Sequence, residues 1–284
     1  MLTTKTKVSL AALAYRLIAR GRGIIGRDGR VNVRRGGILW SLDLSEGIDF
    51  SIYLLGSFER STVISLRKLV KPGDVVFDIG ANIGAHTLGL AKSVGPVGRV
   101  YAFEPTDFAF GKLSRNLALN PELQTQTCPV QMFLTSEPCE PKEDQIYASW
   151  PLKGDWSVHP KHRGRLVTTR GASIDTLDHF VDCKGIDRLD LIKLDVDGHE
   201  LPVLCGGLKV LKRFRPVIVM EMSPYIHAEH NHRFVDLVSL LRNAGYTLED
   251  ASAPKSLPLD AHELEALIPD GASINVIARA SSSP

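Results

Sequence analysis

The 284-residue chain has little cysteine. Cys128, Cys139, Cys183 and Cys205 are scattered, with no C-x-x-C pair. This argues against a zinc site and against a disulfide framework, and a reducing cytoplasm is the simplest home for such a chain. Long apolar runs are missing as well. Val8 to Ala19 comes nearest, but it is too short to span a bilayer and is interrupted by Arg16. It also lacks the unbroken apolar region and cleavage site of a signal peptide. Net charge is only +2, so no global field selects nucleic acid or a membrane as partner. There is no internal repeat, and the G-x-G-x-x-G spacing of a dinucleotide fingerprint is absent where it would be expected.

What is present is an ordinary apolar fraction, 44%, enough to bury a core. The length suits one large α/β domain or a domain with an appendage. Positive charge is concentrated at the start: Lys5, Lys7, Arg16, Arg20, Arg22, Arg27, Arg30, Arg34 and Arg35 stand against Asp28 alone. Such an arm fits an anionic membrane surface or an acidic partner; a solvated helix lying on the domain is the other reading. Residues 1–70 are therefore expected to form a basic arm with a helix and hairpin extension. Within it, Ile38 to Tyr53 alternates in the manner of short strands, and Glu59 to Leu69 reads as a helix. Residues 71–284 are expected to form the main domain.

From Val75 onward, strands and helices alternate. Val75 to Ile79, Arg99 to Phe103, part of Gln126 to Leu134, Leu189 to Leu194, Val217 to Met222, the stretch from Tyr246, and Ile274 to Ala278 read as strands. Helices are expected at about Ala85 to Ser93, Thr106 to Leu119, Ser173 to Val181, Glu200 to Lys212 and Arg233 to Asn243. The expected fold is α/β, a mostly parallel seven-stranded sheet with helices on both faces. Residues 135–165 interrupt the alternation. Rich in Pro, Lys and Gly, and holding Trp150, Trp156, His159 and His162, they read as an insertion or lid, suited to a sugar or planar acceptor or simply covering the core.

Two stretches carry the chemistry. In VVFDIGANIGAHT (Val75 to Thr87), an apolar strand runs through Asp78 into a Gly80-x-Asn82-x-Gly84 turn and then a helix. Ligands of such sheets bind outside the carboxyl ends of the strands. The glycines permit close backbone approach, and asparagine tolerates positive φ. A carboxylate at Asp78 would repel a pyrophosphate but suits the ammonium and sulfonium of S-adenosylmethionine (SAM). VYAFEP (Val100 to Pro105) ends in Glu104, 20 residues after Gly84, where an acid accepts ribose hydroxyls. The alternative is that Asp78 caps the turn and Glu104 is a solvated strand end. His86 opens the following helix, either facing the methyl group or capping the helix.

The segments FDIGANIGAHTL, VYAFEP and LDLIKLDVDGHELPVLCGG, with GIDFSIYLLGSFE upstream, resemble the FkbM family of SAM-dependent methyltransferases, within the Rossmann-like class I fold. The resemblance spans about Gly47 to Tyr225. It implies SAM as methyl donor and sugars or secondary metabolites as plausible acceptors. The family's Asp-Val-Glu-Gly is here Asp195-Val196-Asp197-Gly198, one methylene shorter at the third position. The expected cofactor set is Asp78, Gly80, Asn82, Gly84, His86, Thr87, Glu104 and Pro105, with Asp195.

The second stretch is Leu189 to Glu200. Lys193, Asp195 and Asp197 alternate and share one face. Methyl transfer is an in-line displacement for which alignment supplies ~7–11 kcal/mol, and a hydroxyl acceptor needs a base. Asp195 is expected to border the donor and acceptor. His199 is the first choice of base because a free imidazole, with pKa about 6.5, is largely neutral near pH 7; a solvent-facing helix start is its alternative. Asp197 is the second choice and needs a pKa raised from about 3.9. Lys193, in a buried strand, must be paired, with Asp78 or Glu221. Mg²⁺ on Asp195, Asp197 and Glu221 is conceivable chemistry but not favoured, and no metal-ligand set is assigned. Ser223-Pro224-Tyr225 echoes the tetrapeptide of amino-directed methyltransferases but follows the fifth strand rather than the fourth, which favours O-methylation; Tyr225 and His227 are candidate acceptor contacts. The expected function is SAM-dependent methylation of a hydroxyl on a small molecule or glycan. The other readings are an N-methyltransferase on RNA or protein, an NAD-dependent oxidoreductase, and a non-catalytic binding module.

Overall fold

A computed structural model describes residues 4–24, 29–138, 143–153, 158–160, 163–230 and 232–281. The chain enters through helix α1 (Thr4–Ile24) and a hairpin of β1 (Arg30–Arg35) and β2 (Ile38–Asp43). Helices α2 (Gly47–Leu55) and α3 (Arg60–Leu69) follow. Strand alternation was expected to run on to Tyr53, but it stops at Asp43. From Gly47 the apolar residues Ile48, Phe50 and Ile52 are buried within a helix, because the segment packs against neighbours on more than one side and tertiary contact overrides the two-residue pattern.

This N-terminal part is tied into the main domain. The edge of β2 is covered by side chains of α5 (Asp107–Ala118) and of Asn120 just beyond it: Asn116 accepts from the Ser41 amide at 2.9 Å, and Asn120 accepts from the Leu39 amide at 2.9 Å and donates to the Leu39 carbonyl at 2.7 Å. Buried Asp49 on α2 receives Lys112 of α5 at 2.7 Å. Trp40, Leu42, Phe50 and Ile52 share one apolar cluster with Val76, Leu88, Val100 and Leu113.

The main sheet begins at β3 (Val75–Ile79), followed by α4 (Thr87–Val94), β4 (Arg99–Phe103), α5, α6 (Pro121–Gln124) and β5 (Thr127–Val130). Helix α5 starts where Thr106 caps it, its side chain accepting from the Ala109 amide. Short β6 (Met132–Leu134) pairs with β9 (Ser173–Asp175), and β7 (Gln145–Ser149) pairs with β8 (Arg165–Thr168). The 135–165 segment thus contributes a strand of a small hairpin. Trp156 and His162 lie outside the described residues. The helix expected from Ser173 is α7 (Leu177–Lys184): Ser173–Asp175 are extended, and Thr176 caps the helix.

The second half runs β10 (Leu191–Leu194), α8 (Glu200–Cys205), α9 (Leu208–Phe214), β11 (Val217–Met222), α10 (Pro224–Glu229), α11 (Phe234–Asn243), β12 (Tyr246–Asp250), β13 (Ser256–Leu257), α12 (Ala261–Ala266) and β14 (Ile274–Ala280). The expected helix Glu200 to Lys212 is broken at Gly206-Gly207, where a Cβ on Gly206 would lie 2.1 Å from the Thr135 carbonyl oxygen.

The sheet has eight strands, in the order β13-β12-β14-β11-β10-β3-β4-β5, one more than expected; the extra one is the two-residue edge strand β13. Strands β11, β10, β3, β4 and β5 are parallel, and β14 is antiparallel to its neighbours. Order reverses between β3 and β10, so the crevice of this doubly wound sheet opens at their carboxyl ends. One core cluster, with Phe77, Ile79, Ile192 and Leu194, packs under α7, α8, α9 and α11. The other, with Val76 and Leu191, packs under α2 to α5.

Candidate active site

Two turns meet at the crevice. After β3 the backbone enters the left-handed region at Gly80 (φ +80°) and Asn82 (φ +48°). A Cβ on Gly80 would stand 1.8 Å from the Asp195 carbonyl oxygen, so only glycine lets the turns after β3 and β10 touch. Gly84 (φ +87°) lies beneath the side chains of Leu88 and Leu113 and shapes the turn from below. After β10, Asp197 (φ +48°) and Gly198 (φ +99°) turn the chain into α8.

Three buried acids pin this frame. Asp78 accepts from the Thr87 hydroxyl at 2.6 Å, joining β3 to the start of α4. Glu104 accepts from the Asn82 amide at 3.0 Å, the Thr106 amide at 2.9 Å and the Thr106 hydroxyl. Glu200 accepts from the Val196 and Gly198 amides at 3.1 and 3.4 Å. Burial raises the pKa of Glu104 and of Glu200, while these donors act the other way.

Lys193 crosses from β10 toward β3, with which it is in register at Asp78. Its Nζ lies 3.5 Å from Asp78, 3.3 Å from Asp195 and 3.0 Å from the Gly80 carbonyl oxygen. Burial alone would lower its pKa, but the Asp195 and Asp78 carboxylates more than offset that and hold it above the lysine range. The buried cation thus has the partner Asp78. Glu221, the other candidate, accepts instead from the Ser273 hydroxyl.

Two cavities meet over this frame. The smaller cleft, about 60 Å³, is lined by Gly80, Asn82, Glu104, Pro105, Met132, Phe133, Tyr147 and His199 among others. The larger, about 630 Å³, has a polar wall of Glu59, His86, Lys193, Asp195, Asp197, Glu221 and Tyr225. Its apolar wall is built from α1 and α2 together with Phe58, Trp150 and Leu152. Gly80, Asn82, Asp195 and Asp197 line both.

The cofactor residues expected from sequence therefore divide. Gly80, Asn82, Glu104, Pro105 and Asp195 face a cavity. Asp78, Gly84 and Thr87 line neither of these two and act from beneath: the Asp78 carboxylate, expected beside the donor's positive charge, is fully buried against Thr87 and Lys193. His86 faces the larger cavity, 3.8 Å from Glu59, and makes no side-chain cap bond.

The two candidate bases stand in different places. His199 lines the smaller cleft, not the larger cavity. Burial by itself would lower its pKa, but the Glu143 carboxylate 3.1 Å away keeps it above the usual histidine value. Asp197 stands where the cavities join, and burial, then the Asp195 and Glu200 carboxylates, raise its pKa well above the usual aspartate value. Tyr225 lines the larger cavity as expected, whereas His227 is fully buried, 3.3 Å from Glu200. Among the described residues, Asp195, Asp197 and Glu221 do not bring their oxygens together within 4.8 Å as a metal site would require.

Sequence reasoning missed Glu59, Glu143, Tyr147 and His230. Glu59 had no sequence signal; its left-handed backbone (φ +45°) emerges only in the fold. Glu143 and His230 come from segments far apart in the chain.

Residues 78–248 match the family model described as the methyltransferase FkbM domain. The chain is 28% identical over 198 residues to the hexuronic acid methyltransferase AglP of Haloferax volcanii, covering 67% of this chain and 71% of that protein. It is 26% identical over 223 residues to the 31-O-demethyl-FK506 methyltransferase FkbM of Streptomyces tacrolimicus, covering 69% and 82%. It is also 26% identical over 165 residues to the 2-O-methyltransferase NoeI of Sinorhizobium fredii, covering 54% and 64%. The matched span contains both turns of the crevice and the acids that pin them. The chain belongs to the FkbM methyltransferase family and is a methyltransferase.

Proposed function

We propose that the chain methylates a hydroxyl group of a small molecule or glycan, with SAM as donor in the smaller cleft and the acceptor in the larger cavity. One observation carries this reading: two cavities of different character share a junction formed by Gly80, Asn82, Asp195 and Asp197.

The residues of the smaller cleft suit SAM. Glu104 is an acid held at a strand end, fitted to paired ribose hydroxyls, and Pro105, Phe133 and Leu134 offer apolar faces for a purine. Bound SAM supplies an electrophilic methyl group on a sulfonium. Asp195, steadied by Lys193, sets a negative charge at the junction, which suits a cationic donor. Asp197 is the proposed base: its carboxylate takes the proton of the acceptor hydroxyl. The two turns hold the reactants in line and exclude water, the main contribution an enzyme makes to such a displacement.

The larger cavity also bears on acceptor class. Its polar wall has Glu59, Asp195, Asp197 and Glu221 against Lys193 and Arg60, and Lys193 is already engaged by Asp78 and Asp195. An anionic acceptor would set its charge among four carboxyl groups, so a neutral, hydroxyl-bearing acceptor with an apolar portion fits better. This separates the chain from its relative that methylates a hexuronic acid.

The test is methyl transfer from labelled SAM to a panel of neutral glycosides, polyketide-type alcohols and uronates, with calorimetry of S-adenosylhomocysteine (SAH) and NAD alongside. Transfer to neutral hydroxyls with SAH binding is expected. Transfer confined to amines or to uronates would overturn the acceptor reading, and NAD binding without SAH binding would overturn the donor reading.

A further inference from the structure

Beside the smaller cleft lies a cluster that methyl transfer does not use. Glu143, just ahead of β7, meets His199 at the start of α8 and His230 at the end of α10. One carboxylate oxygen, Glu143 Oε1, lies 3.1 Å from His199 Nε2 and 3.2 Å from His230 Nδ1. All three ligand atoms fall within 4.8 Å of one another. Metal–ligand bonds of ~2.0–2.1 Å in a tetrahedral site set ligand atoms ~3.3–3.4 Å apart, close to the two distances from Glu143 Oε1 to the imidazole nitrogens.

The surroundings supply what a metal-bound histidine requires. His199 Nδ1 lies 3.2 Å from the Val196 carbonyl oxygen. A nitrogen facing a carbonyl carries its proton there, which leaves Nε2 with a lone pair directed at Glu143, the second contact typical of a metal-ligating imidazole. A neutral imidazole lone pair and a carboxylate oxygen repel each other, so a cation, either a proton or a metal ion, must lie between them. His230 directs Nδ1 at the same oxygen. The rings are also fixed by packing: Phe133 meets His199 edge-on at 5.4 Å between centroids, and the two imidazoles are 4.3 Å apart. Gly198 makes room for His230, since a Cβ there would come within 2.6 Å of the ring.

We propose that Glu143, His199 and His230 bind a divalent transition-metal ion of the zinc class. Two imidazoles and a carboxylate form a nitrogen and oxygen set suited to zinc and poorly suited to magnesium. The ion fastens the strand leading into β7 against the turn that carries Asp195 and Asp197. His199 and His230 line the smaller cleft, so the ion acts as a clasp on its wall and takes no part in the transfer.

The test uses the full-length protein after chelator treatment and dialysis. Zn²⁺ is titrated in competition with a chromophoric chelator, and Co²⁺ is added separately as a spectroscopic probe. One equivalent of Zn²⁺ and an intense visible Co²⁺ spectrum of tetrahedral type are expected. Glu143→Gln and His230→Ala, which alter partly exposed side chains, should each weaken Zn²⁺ binding by more than the ~10–100-fold typical of losing a supporting contact, with circular dichroism unchanged. His199→Ala should abolish the Co²⁺ band. Absence of stoichiometric Zn²⁺ binding by the wild type would overturn the proposal and leave the cluster as a carboxylate bridged by an imidazolium proton. Wild-type affinity in Glu143→Gln and His230→Ala would overturn it equally.

Discussion

The smaller cleft and the larger cavity share a floor but are built in opposite ways. The wall of the cleft comes mostly from the residues just after β3, β4, β5 and β10, each a few positions beyond a strand that the sheet already fixes. The wall of the larger cavity comes from α1, α2, Phe58 to Ser61, Trp150, Glu221, Tyr225, Ser273 and Asn275, brought together from both ends of the chain. A site made of strand-end turns inherits its geometry from the sheet. A site made of a helical cover and long connections can change its lining without disturbing the sheet, which fits a fold that serves many acceptors with one donor.

The sharpest way to break this comparison is at the junction. Asp197→Asn keeps size and removes the base, so turnover is expected to fall ~10²–10⁴-fold while SAH affinity stays near wild type. Calorimetry beside single-turnover transfer separates the two. Near-normal turnover would remove Asp197 from the chemistry and direct attention to Glu221, the other cavity carboxylate whose pKa is raised well above its usual range by burial and by neighbouring acids.

Lys193→Met probes the support of both cavities at once. It leaves Asp78 and Asp195 without their buried cation, and breaking such a pair costs about 3–5 kcal/mol, read as a shift in the urea midpoint. Adding Asp78→Asn should recover part of the loss, because the uncompensated buried charge is then gone. An unaltered midpoint in Lys193→Met would mean that the cation contributes nothing to the frame.

On the donor side, Glu104→Gln should weaken SAH binding by the ~1.5–3 kcal/mol of a hydrogen bond to a charged group, roughly 10- to 150-fold. The acceptor KM at saturating SAM should change little. A shift in acceptor KM instead would assign Glu104 to the wrong cavity.

The same contrast explains what the sequence made legible. Asp78, Gly80, Asn82, Glu104 and Asp195 were recognisable because a strand, a turn and an acid follow one another within a few residues, and the sheet puts such segments side by side. Their separate tasks were not. Alternation cannot tell whether a carboxylate at a strand end faces a cavity, as at Glu104, or turns inward to a lysine on the next strand, as at Asp78; that depends on the Lys193–Asp78 register. Likewise Ile48, Phe50 and Ile52 carried a strand-like alternation but lie in α2, because packing on several sides erases the polar face that would have marked a helix. His199 lies beside the crevice, but its ring meets Glu143, 56 positions away, a partner that sequence order does not reveal.

The smallest effect is expected at the mouth of the larger cavity. Leu10 of α1 is 55% exposed yet lines the cavity, so Leu10→Glu places a charge on the apolar wall without disturbing a core. Losing about half of a leucine's burial is worth roughly 1 kcal/mol, so the KM for an acceptor with an apolar portion should rise about fivefold. SAH affinity and the KM for a small polar alcohol should stay unchanged, because neither reaches α1. An equal rise for both acceptors would mean that the helix acts on the fold of the crevice rather than on the acceptor, and the two cavities would then be less independent than their construction implies.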